Sequence, residues 1–150
     1  MTHTIGPDQG SFTVPHLEHA VVADAMRHGV LSCPPEFPAT VVARIMATQH
    51  VHAVIVEGVR PAGGAAEHLV WGVISDMDLM AAARGGADEL TAGDLAVTEP
   101  VTVEPSLPLP EAVRLMIEHR TAHLIVAERG RPVGVLSTLD IAGVLAWARA

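Results

Sequence analysis

Apolar residues along the chain fall into short segments with two different spacings. Residues 52–56 and 69–74 are nearly continuous apolar runs rich in Val and Ile, which is typical of buried β-strands. In residues 38–46 the apolar positions recur every three or four residues, which predicts a helix that begins near Pro38 and buries one face. Residues 76–83, followed by two glycines, predict a second helix. The first half of the chain is therefore predicted to mix strands and helices.

Three further segments complete the first half. Residues 15–26 carry apolar side chains at helical spacing and predict a helix, whereas residues 30–33 predict a short strand stopped by two prolines. Residues 57–68 contain proline and glycine and predict a hairpin loop. Residues 1–14 are predicted to be a flexible N-terminal tail.

The same order of elements then occurs a second time. The stretch Trp71-Gly-Val-Ile-Ser-Asp-Met-Asp returns as Pro132-Val-Gly-Val-Leu-Ser-Thr-Leu-Asp. Asp94 lies 70 residues after Asp24, while Asp140 lies 62 residues after Asp78. The offset becomes smaller across the hairpin loop, so the first repeat has the longer loop. An insertion in a surface loop costs little stability. The chain is therefore predicted to be an internal repeat.

Each repeat is predicted to contain a strand, a helix, two strands and a helix. We place the first repeat at residues 15–90 and the second at residues 91–150. One such unit is too small to bury the apolar face of its own sheet. Two units stacked through their sheets can bury both faces.

Composition and charge limit the classes of function. Apolar residues make up 49% of the 150 residues, which indicates a folded core. The net charge is −8 and all nine basic residues are Arg without basic runs, so we do not expect nucleic-acid binding. The single cysteine, Cys33, excludes an internal disulfide and favours a reducing compartment. With no signal-peptide pattern and no apolar run of about 18 residues, we expect a cytoplasmic protein without a membrane partner.

The element order, with Gly-Val-Ile/Leu-Ser-x-x-Asp closing each repeat, resembles the cystathionine β-synthase (CBS) domain. A tandem pair of these domains is called a Bateman module, and the resemblance covers about residues 20–148. It implies an α+β fold of two β-α-β-β-α repeats packed sheet to sheet with pseudo-two-fold symmetry. The chain departs from the family pattern at Ile55 and Ile125, where the family often has proline, and at Ala96, which replaces the Met26 type.

The resemblance implies a binding module rather than an enzyme. CBS pairs commonly hold AMP, ADP, ATP or S-adenosylmethionine between their repeats, usually dimerise, and often regulate an enzyme, transporter or channel. We therefore expect an adenosine-nucleotide sensor without a bound cofactor, which forms a homodimer and acts on a separate effector protein. The alternative is a ligand-free pair that serves as a dimerisation or protein-docking module. Cys33 has no evident base and the glycine pairs match no phosphate-binding loop, so we do not expect catalysis.

The helix that closes each repeat supplies the first candidate ligand contacts. A carboxylate can accept hydrogen bonds from both ribose hydroxyls, and a helix N-terminus favours a phosphate. The candidates at these helix starts are Ser75, Asp78, Ser137, Thr138 and Asp140. Ser-x-x-Asp is also the pattern of a helix capping box, and both interpretations can hold together.

The start of each middle strand supplies the second set. In the family this position faces the cleft and often gives a basic contact to phosphate. The candidates are His52, Ala53, Arg120, Ala122 and His123. We expect Asp78 to pair with His123 across the interface, and Asp140 with His52. A solvated histidine at a strand edge explains these positions equally well.

The ends of the first strands supply the third set. Family members often place a hydroxyl and an apolar side chain there against the purine, and the candidates are Ser32, Cys33, Thr102 and Val103. Ordinary strand termination explains them equally well. Pairs of histidines such as His16 and His19 have spacings that metal ligands use, but no cysteine accompanies them, and we expect no metal site.

Overall fold

The computed structural model describes residues 15–59, 70–96 and 99–148. The predicted tail at residues 1–14 lies outside this part of the chain, as does most of the predicted loop after residue 59.

Both halves of the chain contain helices and strands in a mixed order. The first half contains α1 (Val22–Ala25), β1 (Arg27–His28), β2 (Ser32–Cys33), α2 (Ala39–Gln49), β3 (Ala53–Val59), β4 (Val70–Ser75) and α3 (Asp76–Ala83). The second half contains α4 (Ala92–Leu95), β5 (Thr102–Val103), α5 (Leu109–His119), β6 (His123–Glu128), β7 (Arg131–Ser137) and α6 (Thr138–Trp147). From β2 to α3, and again from β5 to α6, the order is the predicted β-α-β-β-α.

The two halves also share their strand register. β2 runs parallel to β3 and pairs Ser32 with Ile55, and β5 runs parallel to β6 and pairs Thr102 with Ile125. β3–β4 and β6–β7 are antiparallel hairpins. The sheets have the orders β2-β3-β4 and β1-β7-β6-β5. Matching register in both halves confirms the predicted tandem repeat.

The two sheets pack against each other through a seam of apolar side chains. Ile55 and Val73 of the first sheet join Ile125 of the second in one buried cluster. Both isoleucines are 1% exposed, so the two positions that depart from the family pattern fill the centre of the seam. Trp71 adds a polar link, because its Nε1 donates a 2.8 Å hydrogen bond to the carbonyl oxygen of Gly130 in the second half. The predicted sheet-to-sheet packing is confirmed.

Each sheet buries its other face under helices. Val42 and Met46, on the predicted apolar face of α2, pack with Val54 and Val56 of β3. Leu109, Ala112 and Met116 of α5 pack with Leu124 and Leu136 in the same way. Alternate residues of a strand point to opposite faces, which is why Val54 and Val56 face helices while Ile55 faces the seam.

The short N-terminal helices are exchanged between the halves. Val22 of α1 is buried in the core of the second half, and its backbone N–H donates to the carbonyl oxygen of Leu107. Ala92 of α4 is buried in the core of the first half and donates to the carbonyl oxygen of Phe37. Each half therefore completes its core with a segment from the other.

The predicted helix over residues 15–26 is wrong for most of its length. Residues 17–19 form a turn, and only Val22–Ala25 is helical. Val21 is extended, and its backbone N–H donates to Asp24 Oδ2 at 2.8 Å, so the helix begins only after Val21. The helical spacing of the apolar residues reflects burial against the other half of the protein. The predicted strand at residues 30–33 is confirmed only for Ser32–Cys33.

β1 reaches the sheet of the second half through a close backbone approach. Arg27 pairs with Val135 and His28 with Gly134 of β7. A Cβ atom on Gly134 would collide with the carbonyl oxygen of Arg27 and lie 2.6 Å from Met26 Cε. The glycine is therefore what lets β1 join this sheet.

Candidate functional site

The two helix-start carboxylates are both engaged as caps. Asp78 Oδ2 accepts hydrogen bonds from the Ser75 backbone N–H at 2.7 Å and from Ser75 Oγ at 3.0 Å. Asp140 Oδ2 accepts the same two bonds from Ser137 at the same distances. The capping interpretation of Ser-x-x-Asp therefore holds at both helices. Each carboxylate uses Oδ2 for these bonds, so Oδ1 is the oxygen left for a ligand.

A cavity of about 480 Å³ lies between the two halves, beside the start of α6. Its volume is in the range of small-molecule sites. Its lining comes from both halves and comprises Arg27, His28, Gly29, Val30, Leu31, Gln49, His50, Val51, His52, Ala53, His123, Val135, Ser137, Leu139 and Asp140.

Five of the residues singled out from the sequence line this cavity: His52, Ala53, His123, Ser137 and Asp140. Asp140 and His52, which we expected to act together, thus border one space although they belong to different halves. Sequence reasoning missed the part contributed by β1 and by the end of α2. The basic pair Arg27-His28 directly after the first helix was the available signal, but its place beside β7 depends on a pairing between distant parts of the chain.

The charged and polar lining is mainly basic. Arg27, His28 and His50 stand with the two histidines already named, and Asp140 supplies the carboxylate. None of the ion pairs among the described residues involves Arg27. A cavity lined in this way suits an anionic ligand group.

His52 is oriented by Asp76, the first residue of α3. The distance from His52 Nδ1 to Asp76 Oδ2 is 2.9 Å, and the two side chains are 58% and 49% exposed. Because a carboxylate only accepts hydrogen bonds, the proton lies on Nδ1 and Nε2 remains for a ligand. The backbone N–H of Asp76 also donates to the carbonyl oxygen of His52. Thr138 and Ala122 hold the equivalent positions in the second half and make only the backbone bond.

His123 lies within electrostatic reach of this pair. Burial lowers the pKa of His123 below its ordinary value; Asp76 opposes this effect, His52 adds to it and Asp78 opposes it. No hydrogen bond or ion pair among the described residues joins His123 to Asp78, so the expected pairing of these two residues stays a prediction.

The strand-end candidates divide between the two faces of their sheets. Ser32 and Thr102 are exposed and in register with the seam isoleucines, so they share the face of the sheet that looks toward the other half. Cys33 and Val103 are buried in the helix-side cores, away from that face. Burial, followed by the charge of Glu57, raises the pKa of the Cys33 thiol.

Arg120, Asp78 and Ser75 do not line the cavity, but they hold the positions in the repeat that are equivalent to three residues that do, His50, Asp140 and Ser137. Arg120 ends α5 in a left-handed conformation, as His50 ends α2, and the two positions are 70 residues apart. Asp78 and Ser75 stand in the first half where Asp140 and Ser137 stand in the second. The equivalents of Arg27 and His28 are residues 97 and 98, which lie outside the described part of the chain.

The described residues contain neither a cluster of metal ligands nor a membrane-spanning helix. No three or more His, Cys, Asp or Glu side chains come together there as ligands for a metal ion. No helix there has the length and apolar character needed to cross a membrane.

Comparison with known families gives a direct result. The family model of the CBS domain matches the chain twice, over residues 22–85 and 92–146. The chain belongs to the CBS domain family. The two matches correspond to the two predicted repeats of the CBS pair. Among proteins with curated functions, none matches the sequence.

Solved structures of CBS proteins share the fold. An uncharacterized conserved protein from Pyrococcus horikoshii superposes with a TM-score of 0.73 at 21% identity, over 89% of this chain and 96% of that one. A CBS domain pair in complex with 5′-methylthioadenosine and S-adenosyl-L-methionine gives 0.69 at 17% identity, over 84% and 99%. A CBS domain protein from Pyrobaculum aerophilum in complex with AMP gives 0.67 at 25% identity, over 85% and 96%.

Proposed function

We propose that this CBS pair is a regulatory module that binds an adenosine nucleotide between its repeats and acts on a separate partner protein. The observation that carries the proposal is the cavity to which the two halves contribute complementary groups. Asp140 can accept hydrogen bonds from a ribose, while Arg27, His28 and His50 can donate to a phosphate. The ligand would thus touch both halves at once.

This geometry supports regulation as well as binding. A ligand that contacts both repeats stabilises the arrangement in which they are packed together. Ligand binding can therefore change the conformation of any partner-binding surface that depends on how the two repeats are packed. The relative from Pyrobaculum aerophilum, solved with AMP, supports the choice of an adenosine compound.

Thermal unfolding in the presence of AMP, ADP, ATP and S-adenosylmethionine tests the proposal. A ligand at 100 times its dissociation constant adds about 2.7 kcal/mol to the free energy of unfolding. The unfolding midpoint should therefore rise by several degrees with at least one adenosine compound. No shift with any of them would reject the proposal.

The variant Asp140→Ala locates the site, and Asp94→Ala is its matched control. Asp94 forms the same capping box with Thr91 at the start of α4, but it does not line the cavity. Both variants lose the carboxylate that accepts hydrogen bonds from the N-cap residue of its helix, so both should be destabilised for the same reason. Only Asp140→Ala should also lose the ligand-induced shift. An equal shift in both variants would show that the ligand binds elsewhere.

A docking function is the second candidate, because two helices carry exposed apolar side chains. Met77 and Met80 of α3 are 72% and 56% exposed, and Leu145 and Trp147 of α6 are 68% and 67% exposed. Met77 and Leu139 hold equivalent positions in the two repeats, so the surface offers matching elements to a second copy related by two-fold symmetry. We propose that a homodimer forms through α3 and α6. Ligand binding and dimerisation are compatible.

A further inference from the structure

We propose that the cavity selects adenosine compounds that carry phosphate over S-adenosylmethionine and 5′-methylthioadenosine, and that Arg27 determines this selectivity. The inference rests on the proposed function and narrows its ligand to one chemical class.

The first argument is the sign of the charges. One arginine and four histidines line the cavity with a single carboxylate, that of Asp140. Arg27 is the permanent cation of this lining, so a phosphate gains charge-assisted hydrogen bonds from its guanidinium, and an imidazole that carries its proton toward the cavity adds a further donor. S-adenosylmethionine carries a sulfonium and an ammonium group besides its carboxylate, so its net charge is positive, and 5′-methylthioadenosine is uncharged. Neither compound offers the doubly charged group that a phosphate presents to Arg27.

The second argument is that the one carboxylate is already occupied in part. Asp140 Oδ2 accepts two hydrogen bonds from Ser137, so Oδ1 is the atom left for the ligand. A ribose needs this oxygen for its hydroxyls. A sulfonium bound in the same cavity would have to compete with the ribose for it.

The third argument concerns Arg27 itself. Its backbone is fixed in β1 by pairing with Val135, and this close pairing depends on the absence of a side chain at Gly134. Its guanidinium takes part in none of the ion pairs among the described residues. Arg27 therefore combines a fixed attachment point at the cavity with a charge that no described carboxylate neutralises. His52, by contrast, is already held by Asp76.

Isothermal titration with six compounds tests this selectivity: adenosine, 5′-methylthioadenosine, S-adenosylmethionine, AMP, ADP and ATP. The wild-type protein should bind the three phosphorylated compounds at least about 10-fold more tightly than the other three. Arg27→Ala should weaken AMP binding by about 10- to 100-fold, while leaving adenosine binding nearly unchanged. Arg27→Lys should retain most of the preference because it retains the charge.

Arg44→Ala is the matched control, since Arg44 is an exposed arginine of α2 that does not line the cavity. It should bind all six compounds as the wild type does. Equal affinity of the wild type for adenosine and AMP, or a preference for AMP that survives in Arg27→Ala, would overturn the selectivity and leave the proposed function standing. Binding of none of the six compounds would reject both.

Discussion

His52 and Asp76 form a hydrogen-bonded pair, with 2.9 Å between Nδ1 and Oδ2, that the second repeat cannot reproduce. Ala122 and Thr138 hold the equivalent positions and lack the charges. The pair sets a negative and a potentially positive group beside His123 at the junction of the two halves. The two repeats therefore differ in their titratable groups at this position.

The first prediction is that the two members of this pair act on His123 in opposite directions. His52→Ala should raise the pKa of His123, because it removes a neighbour of like charge. Asp76→Asn should lower that pKa, because it removes a carboxylate that favours the protonated form. NMR titration of the His123 imidazole measures both changes. Shifts of the same sign in the two variants would contradict the arrangement. Both side chains are about half exposed, so each variant should lose only about 0–1 kcal/mol of stability.

The second prediction concerns stability against acid. The pKa of His123 is lowered in the folded protein, so the unfolded chain binds this proton more readily than the folded one. The contribution of His123 to stability is therefore complete above its ordinary pKa of about 6.5, and it is lost as the pH falls from there toward the lowered value. The variant His123→Gln should unfold with a weaker pH dependence across this interval.

The control for this experiment is His19→Gln, which changes an exposed histidine in the turn before α1. Its unfolding midpoint should follow the wild-type pH dependence. If His123→Gln retains the full wild-type slope between pH 7.5 and pH 5, the assignment to His123 is wrong.

The third prediction concerns the attachment of β1. Gly134→Ala introduces a Cβ that collides with the backbone of Arg27, so it should destabilise the protein by about 1–3 kcal/mol and weaken nucleotide binding through displacement of Arg27. Gly143→Ala is the control, because a Cβ on this glycine of α6 meets nothing within 4 Å. It should stabilise the helix by up to about 1 kcal/mol. Equal unfolding midpoints for the two variants would contradict the close approach of β1.

The fourth prediction concerns the dimer. Leu145→Glu should shift the protein to a monomer in sedimentation velocity, since it places a charge on the apolar surface of α6. Ile117→Glu changes a side chain of similar exposure, 72% against 68%, on a different helix, α5, and should leave the dimer intact. A monomeric wild type, or a dimer that survives Leu145→Glu, would reject the interface.

The internal repeat made the fold predictable from the sequence. Contacts between segments far apart in the chain could not be predicted, because the spacing of apolar residues within one segment does not reveal them. The helix at residues 76–83 was predicted at its observed bounds because Ser75 and Asp78 form the cap that the sequence suggested. The helix predicted over residues 15–26 was largely wrong, because Val22 is buried against the second half rather than on a helix face of its own segment. Residues buried against the other half of the protein can show the same spacing of apolar positions as an amphipathic helix.

The candidate site divides in the same way. Asp140 and His52 belong to repeated motifs and were found from them, and both line the cavity. Arg27 belongs to no repeated motif and enters the cavity only because Gly134 admits β1 to the other sheet. Cys33 follows Ser32 in the same strand, so their side chains point to opposite faces of the sheet. The sequence motif marked both residues as candidates and did not show that only Ser32 faces the other half.

The most direct test of the central claim is a crystal structure of the protein grown with AMP. The account predicts electron density for one nucleotide in the cavity between the halves. Its ribose hydroxyls should lie within hydrogen-bond distance of the Asp140 carboxylate, and its phosphate should lie beside Arg27. A nucleotide bound outside this cavity, or a cavity filled by protein side chains at saturating AMP, would contradict it.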